Sequence, residues 1–435
     1  MRRLLAGLLL TSCVLLAPHA PAQADEAYAP VDRPGPALTI PQAELDASYA
    51  CVGDFSSPLE ALLFVPPTGG TPAETFSWNY GRFFESEGRP YCTVTLPHHS
   101  LDDIQEAGEY IVHAIRETYA QTGRPIAVLG HSQGGMAPRW ALRFWPDTRA
   151  MVADQIGLAP SNHGTTLIDP ICSAVLTCTE AVWQQRSTSA FTAALNSGAE
   201  TFAGTDYTAI YTLTDEVVLP TSGPAPSSAL RTGAGRITNV TTQSICPLSV
   251  YEHLAVGTID PVAHALVMDA LNHDGPADPA RINRSVCLQL LIPGLNPLDP
   301  RILQVLSAVP NVLLVPVPLV NVAGTQNVAA EPPLKCYVLA AGCGGSSTGT
   351  TGPGGAGSTT TGGGSTPATA VSTATTSVTS LSGSGVVRAT PDGLPESGVG
   401  LGAWLALVAA AALTVGLVLV RRSPSGQDWS TTGPS

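Results

Sequence analysis

Gly130-His131-Ser132-Gln133-Gly134-Gly135 sets a serine between glycines two residues before it and two after it. That spacing does chemistry at one kind of place, a sharp turn from a strand into a helix. There the serine takes a strained backbone, its hydroxyl stands above the sheet, and a side chain at either glycine would collide. The same turn aims the N–H of Gln133 and the positive end of the following helix at the spot where an oxyanion would form. The bland alternative is an ordinary Gly-rich turn. A serine hydroxyl becomes a nucleophile only when a base takes its proton. With the serine on such a turn, the orienting acid and the base follow along the chain, Asp or Glu first and His second. Asp215, in Thr212-Leu213-Thr214-Asp215-Glu216, follows a strand candidate directly, with Glu216 beside it as the fallback. Of nine histidines, His253 in Val250-Tyr251-Glu252-His253-Leu254 is the preferred base. His264 is its rival, but it falls inside a predicted helix. The second oxyanion donor belongs on the loop after an early strand. Val65-Pro66-Pro67-Thr68-Gly69-Gly70 fits, because Thr68 has both an N–H and a hydroxyl to give and the glycines let the backbone approach a substrate. A Pro-Gly turn without chemistry is the alternative there. Together these residues are equipped for acyl transfer through a covalent serine intermediate.

Such a site needs a buried sheet to hold it, and the flanking sequence supplies one. Ala61 to Val65 is a continuous apolar run stopped by two prolines, as a strand buried on both faces would be. Tyr91 to Leu96, Pro125 to Leu129, Val152 to Leu158, Tyr207 to Leu213 and Arg236 to Thr242 read as further strands. Leu101 to Tyr119 carries apolar residues at 104, 107, 111, 114 and 115, the spacing of an amphipathic helix. Met136 to Phe144 and Val262 to Leu271 read as two more helices. The proline-rich residues before Ala61 read as a lead-in arm. Strands alternating with helices predict an α/β fold with a mostly parallel central sheet and helices on both faces.

With these pieces placed, the chain resembles the Candida antarctica lipase B–like family of α/β-hydrolases. The resemblance rests on Phe64-Val65-Pro66-Pro67-Thr68-Gly69, Ser132 to Gly135, Ala181-Val182-Trp183-Gln184-Gln185, Thr214-Asp215-Glu216 and Cys246-Pro247-Leu248 leading to His253. It covers about Leu38 to Cys343. It implies that Ser132 is nucleophile, Asp215 orienting acid and His253 base, with Thr68 and Gln133 forming the oxyanion hole. It implies hydrolysis of carboxylic esters, acylglycerols among them, in lipid catabolism, by a monomeric catalytic domain with no metal or organic cofactor. It also implies disulfides Cys51–Cys92, Cys246–Cys287 and Cys336–Cys343. Cys172 and Cys178 then remain as a local pair, in a segment from Ile168 to Val182 expected to wall the acyl pocket. His131 and Pro67 depart from the family pattern, in place of an aromatic residue and a glycine, so substrate preference does not carry over. An acyltransferase or polyester depolymerase would use the same triad. A binding protein on an inactive hydrolase scaffold is the reading from a different class.

The chain's composition is explained by its two ends. It has 435 residues, of which only 12% are charged and 44% hydrophobic, with 43 glycines and 38 prolines. The net charge of −13 excludes a nucleic-acid binder driven by phosphate contacts. Residues 1–24 read as a signal peptide: Arg2 and Arg3, an apolar run from Leu4 to Ala17, and an Ala22-Gln23-Ala24 cleavage site. A short uncleaved anchor and a lipid-modified Cys13 are the alternatives. Residues 344–393 read as a flexible Gly/Ser/Thr-rich linker. Leu394-Pro395-Glu396-Ser397-Gly398 resembles an LPxTG wall-sorting signal, residues 399–420 are apolar and long enough to span a bilayer, and Arg421 and Arg422 open a cytoplasmic tail over residues 421–435. These features predict one hydrolase domain over residues 25–343, exported and held at the cell surface by a membrane helix or by wall attachment. Nine cysteines fit an oxidising compartment, with four pairs and Cys13 removed with the signal.

Overall fold

The computed structural model describes residues 27–172, 177–305 and 324–344. The predicted signal peptide with Cys13, the linker beyond Gly344, the sorting motif, the apolar span and the basic tail lie outside the described residues.

Seven strands form one sheet: β1 (Tyr49–Val52), β2 (Leu62–Val65), β3 (Tyr91–Val94), β4 (Ile126–His131), β5 (Val152–Leu158), β6 (Asp206–Tyr211) and β7 (Arg236–Thr241). Their order is β1-β3-β2-β4-β5-β6-β7. β1 runs antiparallel to β3 and the other pairings are parallel. This is the mostly parallel α/β sheet the alternating pattern predicts, in the arrangement of an α/β-hydrolase.

The central strands alternate their side chains between two cores, as strand geometry requires. Leu63, Val65 and Val128 face one core with Ile111, Ile115 and Trp140, from the helices Ile104–Thr122 and Pro138–Phe144. Leu62, Phe64 and Leu129 face the other with Phe84, Leu266 and Val267, from the helices Tyr80–Glu87 and Pro261–Asn272. Phe64 stacks on Phe76 at 4.6 Å between ring centres and meets Tyr91 edge-on at 5.1 Å. Each large side chain buried this way contributes roughly 1.5–3 kcal/mol.

Several boundaries depart from the sequence reading. The predicted helix Met136–Phe144 is two segments, Gln133–Met136 and Pro138–Phe144, because Pro138 has no N–H to continue the first and instead opens the second. The lead-in arm contains a short helix, Gln42–Ala47, and the edge strand β1. Disulfides join Cys51–Cys92, Cys172–Cys178, Cys246–Cys287 and Cys336–Cys343, the first stapling β1 to β3. These are the four pairs expected. Of the segment expected to wall the pocket, residues 173–176 lie outside the described residues. Ile168, Cys172, Cys178, Val182 and Trp183 form a small buried cluster.

Candidate active site

Thr68, Ser132, Asp215 and His253 all sit on loops leaving the carboxyl ends of parallel strands, β2, β4, β6 and β7 respectively. An open α/β sheet places its site at that edge.

Ser132 follows β4 directly and takes φ +57° and ψ −121°, a conformation L-residues avoid. The neighbouring glycines show why the turn survives. A Cβ on Gly130 would lie 1.9 Å from the Gly134 carbonyl oxygen, and one on Gly134 would lie 2.1 Å from the carbonyl oxygen of Val65. Strand and helix can close this tightly only on glycine. The Ser132 N–H donates to the Leu158 carbonyl at 2.8 Å, tying the turn to β5. Gln133 opens the helix, so its N–H has no intrahelical acceptor and is aimed outward.

The loop after β2 faces this turn. The Thr68 hydroxyl donates to Gln133 Oε1 at 2.6 Å. Gln185 Nε2 donates to Thr68 Oγ1 at 2.8 Å and to Gln133 Oε1 at 3.1 Å. Thr68 and Gln133, paired on sequence grounds, are thus in direct contact. Gln185 is a buried third member that sequence reasoning left without a role, although it stands in a segment that carried the family resemblance. The Gly69 N–H donates to the His99 carbonyl at 2.7 Å. His98, His99 and Ser100 all have positive φ, of 43°, 57° and 61°. Three consecutive non-glycine residues held this way form a strained support under the Thr68 loop. No periodicity or motif marks them in the sequence.

Asp215 is buried, and its Oδ1 accepts the N–H groups of Val217 at 2.9 Å and Val218 at 2.8 Å. Its Oδ2 lies 2.9 Å from His253 Nδ1. The loop of Asp215 and that of His253 are sewn together by Thr212 and Thr214, whose hydroxyls both donate to the Tyr251 carbonyl at 2.8 Å. His253 opens the helix His253–Thr258, and Glu252 caps it by accepting the N–H groups of Leu254 at 2.6 Å and Ala255 at 3.0 Å. Glu216, the fallback acid, reaches the backbone N–H of His253 at 3.4 Å, whereas Asp215 meets the ring. His264 is buried elsewhere, edge-on to Phe83 at 4.3 Å between ring centres. Burial lowers its pKa to about 4.

His131 links the serine turn to the histidine loop. Its ring lies 4.9 Å from that of His253, and its Nε2 donates to the His253 carbonyl at 3.0 Å. Burial, with the nearby imidazole of His253, pushes its pKa down to about 3, so it is neutral with the proton on Nε2. Gly257 leaves room for this ring: a Cβ there would lie 2.3 Å from it. Among the described residues, no hydrogen bond joins the Ser132 hydroxyl to His253 Nε2. In substrate-free hydrolases such bonds often tighten only when substrate binds.

Burial alone would lower the pKa of His253. The carboxylates of Asp215, Glu216 and Glu252 outweigh it and push the pKa up to about 9. Glu252 is itself raised to about 7, by burial and then by repulsion from Glu216. Burial raises Glu216 as well.

A lipase B from Pseudozyma (Candida) antarctica is 36% identical to the chain over 223 residues, covering 50% of this chain and 64% of that protein. The matched stretch is therefore slightly under two thirds of that relative's length. The crystal structure of Aspergillus fumigatus lipase B is 31% identical, covers 73% of this chain and 77% of its own, and superposes with a TM-score of 0.62. The chain belongs to the Candida antarctica lipase B–like family. No family model matches it. For a lipase B–like chain, the departure at His131 has a structural meaning: a neutral imidazole bonded to the backbone of the histidine loop occupies the position beside the serine.

Proposed function

We propose that this chain is a serine carboxylic-ester hydrolase of the lipase and esterase type, acting through an acyl-enzyme. One observation carries the reading. A buried Asp215–His253 pair, 2.9 Å from oxygen to nitrogen, stands at the same sheet edge as a serine on a strained, glycine-flanked turn. Asp215 holds the proton of His253 on Nδ1, which leaves Nε2 free to take the proton of Ser132. Ser132 Oγ attacks the ester carbonyl, and the tetrahedral oxyanion is met by the Gln133 N–H and by Thr68. His253 returns the proton to the leaving alcohol, then activates water to release the acid. Asp215 stabilises the imidazolium in both steps. The names of the two relatives, both lipase B, favour acyl esters of lipids as the substrate class.

We also propose that the enzyme works outside the cell. Four disulfides suit an oxidising compartment. The signal-like residues 1–24 support export, and the linker, sorting-like pentapeptide and apolar span support retention at the surface.

The test is hydrolysis of p-nitrophenyl esters of increasing acyl length by the full chain and by Ser132→Ala. Turnover that falls by about four orders of magnitude or more in the variant supports the reading. Substantial residual activity in a clean preparation overturns it.

A further inference from the structure

A cavity of about 440 Å³ opens between loops that also carry the candidate active site. That is the size of a small-molecule pocket. Leu219, Pro220, Ala225 and Ala193 give it an apolar side, and Arg231 and His163 stand beside them. None of Thr68, Ser132, Gln133, Asp215 and His253 lines it, yet its walls continue into theirs. Leu219 follows Val217 and Val218, whose N–H groups donate to Asp215. Ser187 follows Gln185, which holds Thr68 and Gln133. Thr165, two residues after His163, knots these walls together. Its N–H donates to the Gln185 carbonyl at 2.8 Å and its hydroxyl to the Val217 carbonyl at 2.6 Å, and its Oγ1 accepts the Leu219 N–H at 3.0 Å.

One residue sets the charge of this cavity. Ser187 to Ala199 and Val217 to Gly235 supply all of the lining except His163, and they contain a single charged side chain, Arg231. Arg231 is held in place. Its backbone N–H donates to Glu200 Oε2 at 2.7 Å and its Nη2 to the Pro226 carbonyl at 2.8 Å, while its Nε and Nη1 meet no acceptor among the described residues. His163 is committed to its neighbours, with Nδ1 2.9 Å from the Ser227 carbonyl and Nε2 3.4 Å from Glu200 Oε1. Glu200 is buried behind it and faces the guanidinium of Arg139, whose Nε donates to the Glu200 carbonyl at 3.1 Å. Burial opposes ionisation of Glu200, but His163 and Arg139 outweigh it and hold its pKa below the usual carboxylate range. Asp169, beyond Ser187, accepts the Ser187 N–H and hydroxyl and lies 3.8 Å from Arg186. In a chain of net charge −13, the cavity therefore presents one fixed guanidinium beside an apolar wall.

We propose that this cavity binds a monocarboxylate with a short aliphatic chain, its carboxylate on Arg231 and its chain on Leu219, Pro220, Ala225 and Ala193. A guanidinium fork matches the two oxygens of a carboxylate. The apolar wall accepts methylene groups and disfavours a second charge. Acids of this class are what ester hydrolysis releases, so naming the reaction product as the ligand rests on the ester-hydrolase reading. A ligand favours the arrangement it fits. Here that arrangement has Gln185 on Thr68 and Gln133, and Val217 and Val218 on Asp215. Occupancy therefore stabilises the assembled site rather than blocking it.

The experiment titrates sodium octanoate by calorimetry into the full chain after an alkyl fluorophosphonate has blocked its nucleophile and filled the catalytic pocket. Octan-1-ol and octylammonium chloride test the role of charge. The variants are Arg231→Met and Ala193→Leu, the second keeping the arginine and filling the apolar side from an exposed position on the helix Ala190–Leu195. The expected result is one octanoate per chain with a Kd of about 1 mM or tighter. Octanol, octylammonium and the Arg231→Met change should each weaken binding by about tenfold or more. Ala193→Leu should weaken it by about fivefold. Octanoate should also raise the Tm of the blocked parent and leave that of blocked Arg231→Met unmoved. No saturable heat up to about 10 mM octanoate overturns the proposal. So does equal affinity for octanol, or an affinity unchanged in both variants. Binding that disappears once the nucleophile is blocked overturns it too, since the catalytic pocket would then be the acid's site. If the fluorophosphonate does not label the chain, the ester-hydrolase reading fails, while the same titration of the unlabelled chain and the two variants still reports on the cavity.

Discussion

Replacing Glu216 with Gln should lower the pH at which this enzyme becomes active. In the mechanism proposed above, His253 must be neutral to take the proton of Ser132, and the carboxylates around it outweigh burial and push its pKa up to about 9. Below that value kcat/KM should fall about tenfold per pH unit, and above it should level off. Glu216 contacts the His253 backbone N–H at 3.4 Å, which places its carboxylate several ångströms from the ring. At roughly 7 Å and an effective dielectric of about 20, one full charge contributes about 2.4 kcal/mol, or somewhat under 2 pKa units. Burial raises the pKa of Glu216 itself, and Glu252, whose pKa burial and then the charge of Glu216 push up to about 7, becomes more fully ionised in the variant and offsets part of the loss. A drop of about one unit in the apparent pKa is therefore the working figure, or about a tenfold gain in kcat/KM near pH 7.5 with an unchanged alkaline plateau. The assay is kcat/KM on a soluble ester from pH 6 to 10.5 for parent and variant. An unmoved midpoint would refute the electrostatic account, as would a lower plateau at the same midpoint, which would make Glu216 merely structural. The linkage has a defined sign. A histidine raised from about 6.5 to about 9 in the fold contributes stability that is complete below pH 6.5 and is lost as pH rises through 9. The enzyme becomes active over the same range in which it gives up that contribution.

Gln185→Ala should lower kcat about tenfold with little change in KM, because Thr68 and Gln133 keep their mutual bond but each loses the amide donor that fixes the pair in place; steady-state kinetics on a short-chain ester read this. Gly257→Ala should destabilise the fold by about 2 kcal/mol or more, since the added methyl meets the ring of His131, and a denaturant melt at fixed pH checks it. Asp154 tests the far edge of the sheet. Burial first, then the charges of Glu60 and Asp206, raise its pKa to about 8. A carboxyl raised in the fold binds its proton more tightly than in the unfolded chain, so it costs stability progressively from about pH 4 to pH 8. Asp154→Asn should therefore raise Tm at pH 8 by several degrees and leave it nearly unchanged at pH 4, as followed by thermal melts.

The parts of the fold that can be read from sequence are those where local chemistry leaves little choice. β5 is expected at Val152–Leu158 and occupies those residues, since Val152, Ile156 and Leu158 supply β-branched and apolar anchors in a stretch bounded by Pro146 and Pro160, which stop the elements on either side. The serine turn was legible for a similar reason, since Gly130 and Gly134 are demanded by backbone contacts under 2.2 Å. β1 was missed because it is a four-residue edge strand with half its side chains exposed, and its pairing with β3 spans some forty residues. The support of the Thr68 loop by His98–Ser100 was invisible because strained conformations have no composition signature. The carboxylates around His253 were visible as letters, yet their joint effect depends on burial and proximity that only packing supplies. A fall in activity in mild acid could be expected from any catalytic histidine. A midpoint near 9 could not.

The central claim is that Ser132 is the nucleophile, and covalent trapping addresses it most directly. The full chain is treated with a fluorophosphonate at pH 9, digested, and mapped by mass spectrometry. The account predicts one modified residue, Ser132, at near-stoichiometric occupancy, with ester hydrolysis lost in step with labelling and no adduct formed on His253→Ala at the same dose. Labelling at another serine, or full ester hydrolysis with Ser132 unmodified, would contradict it.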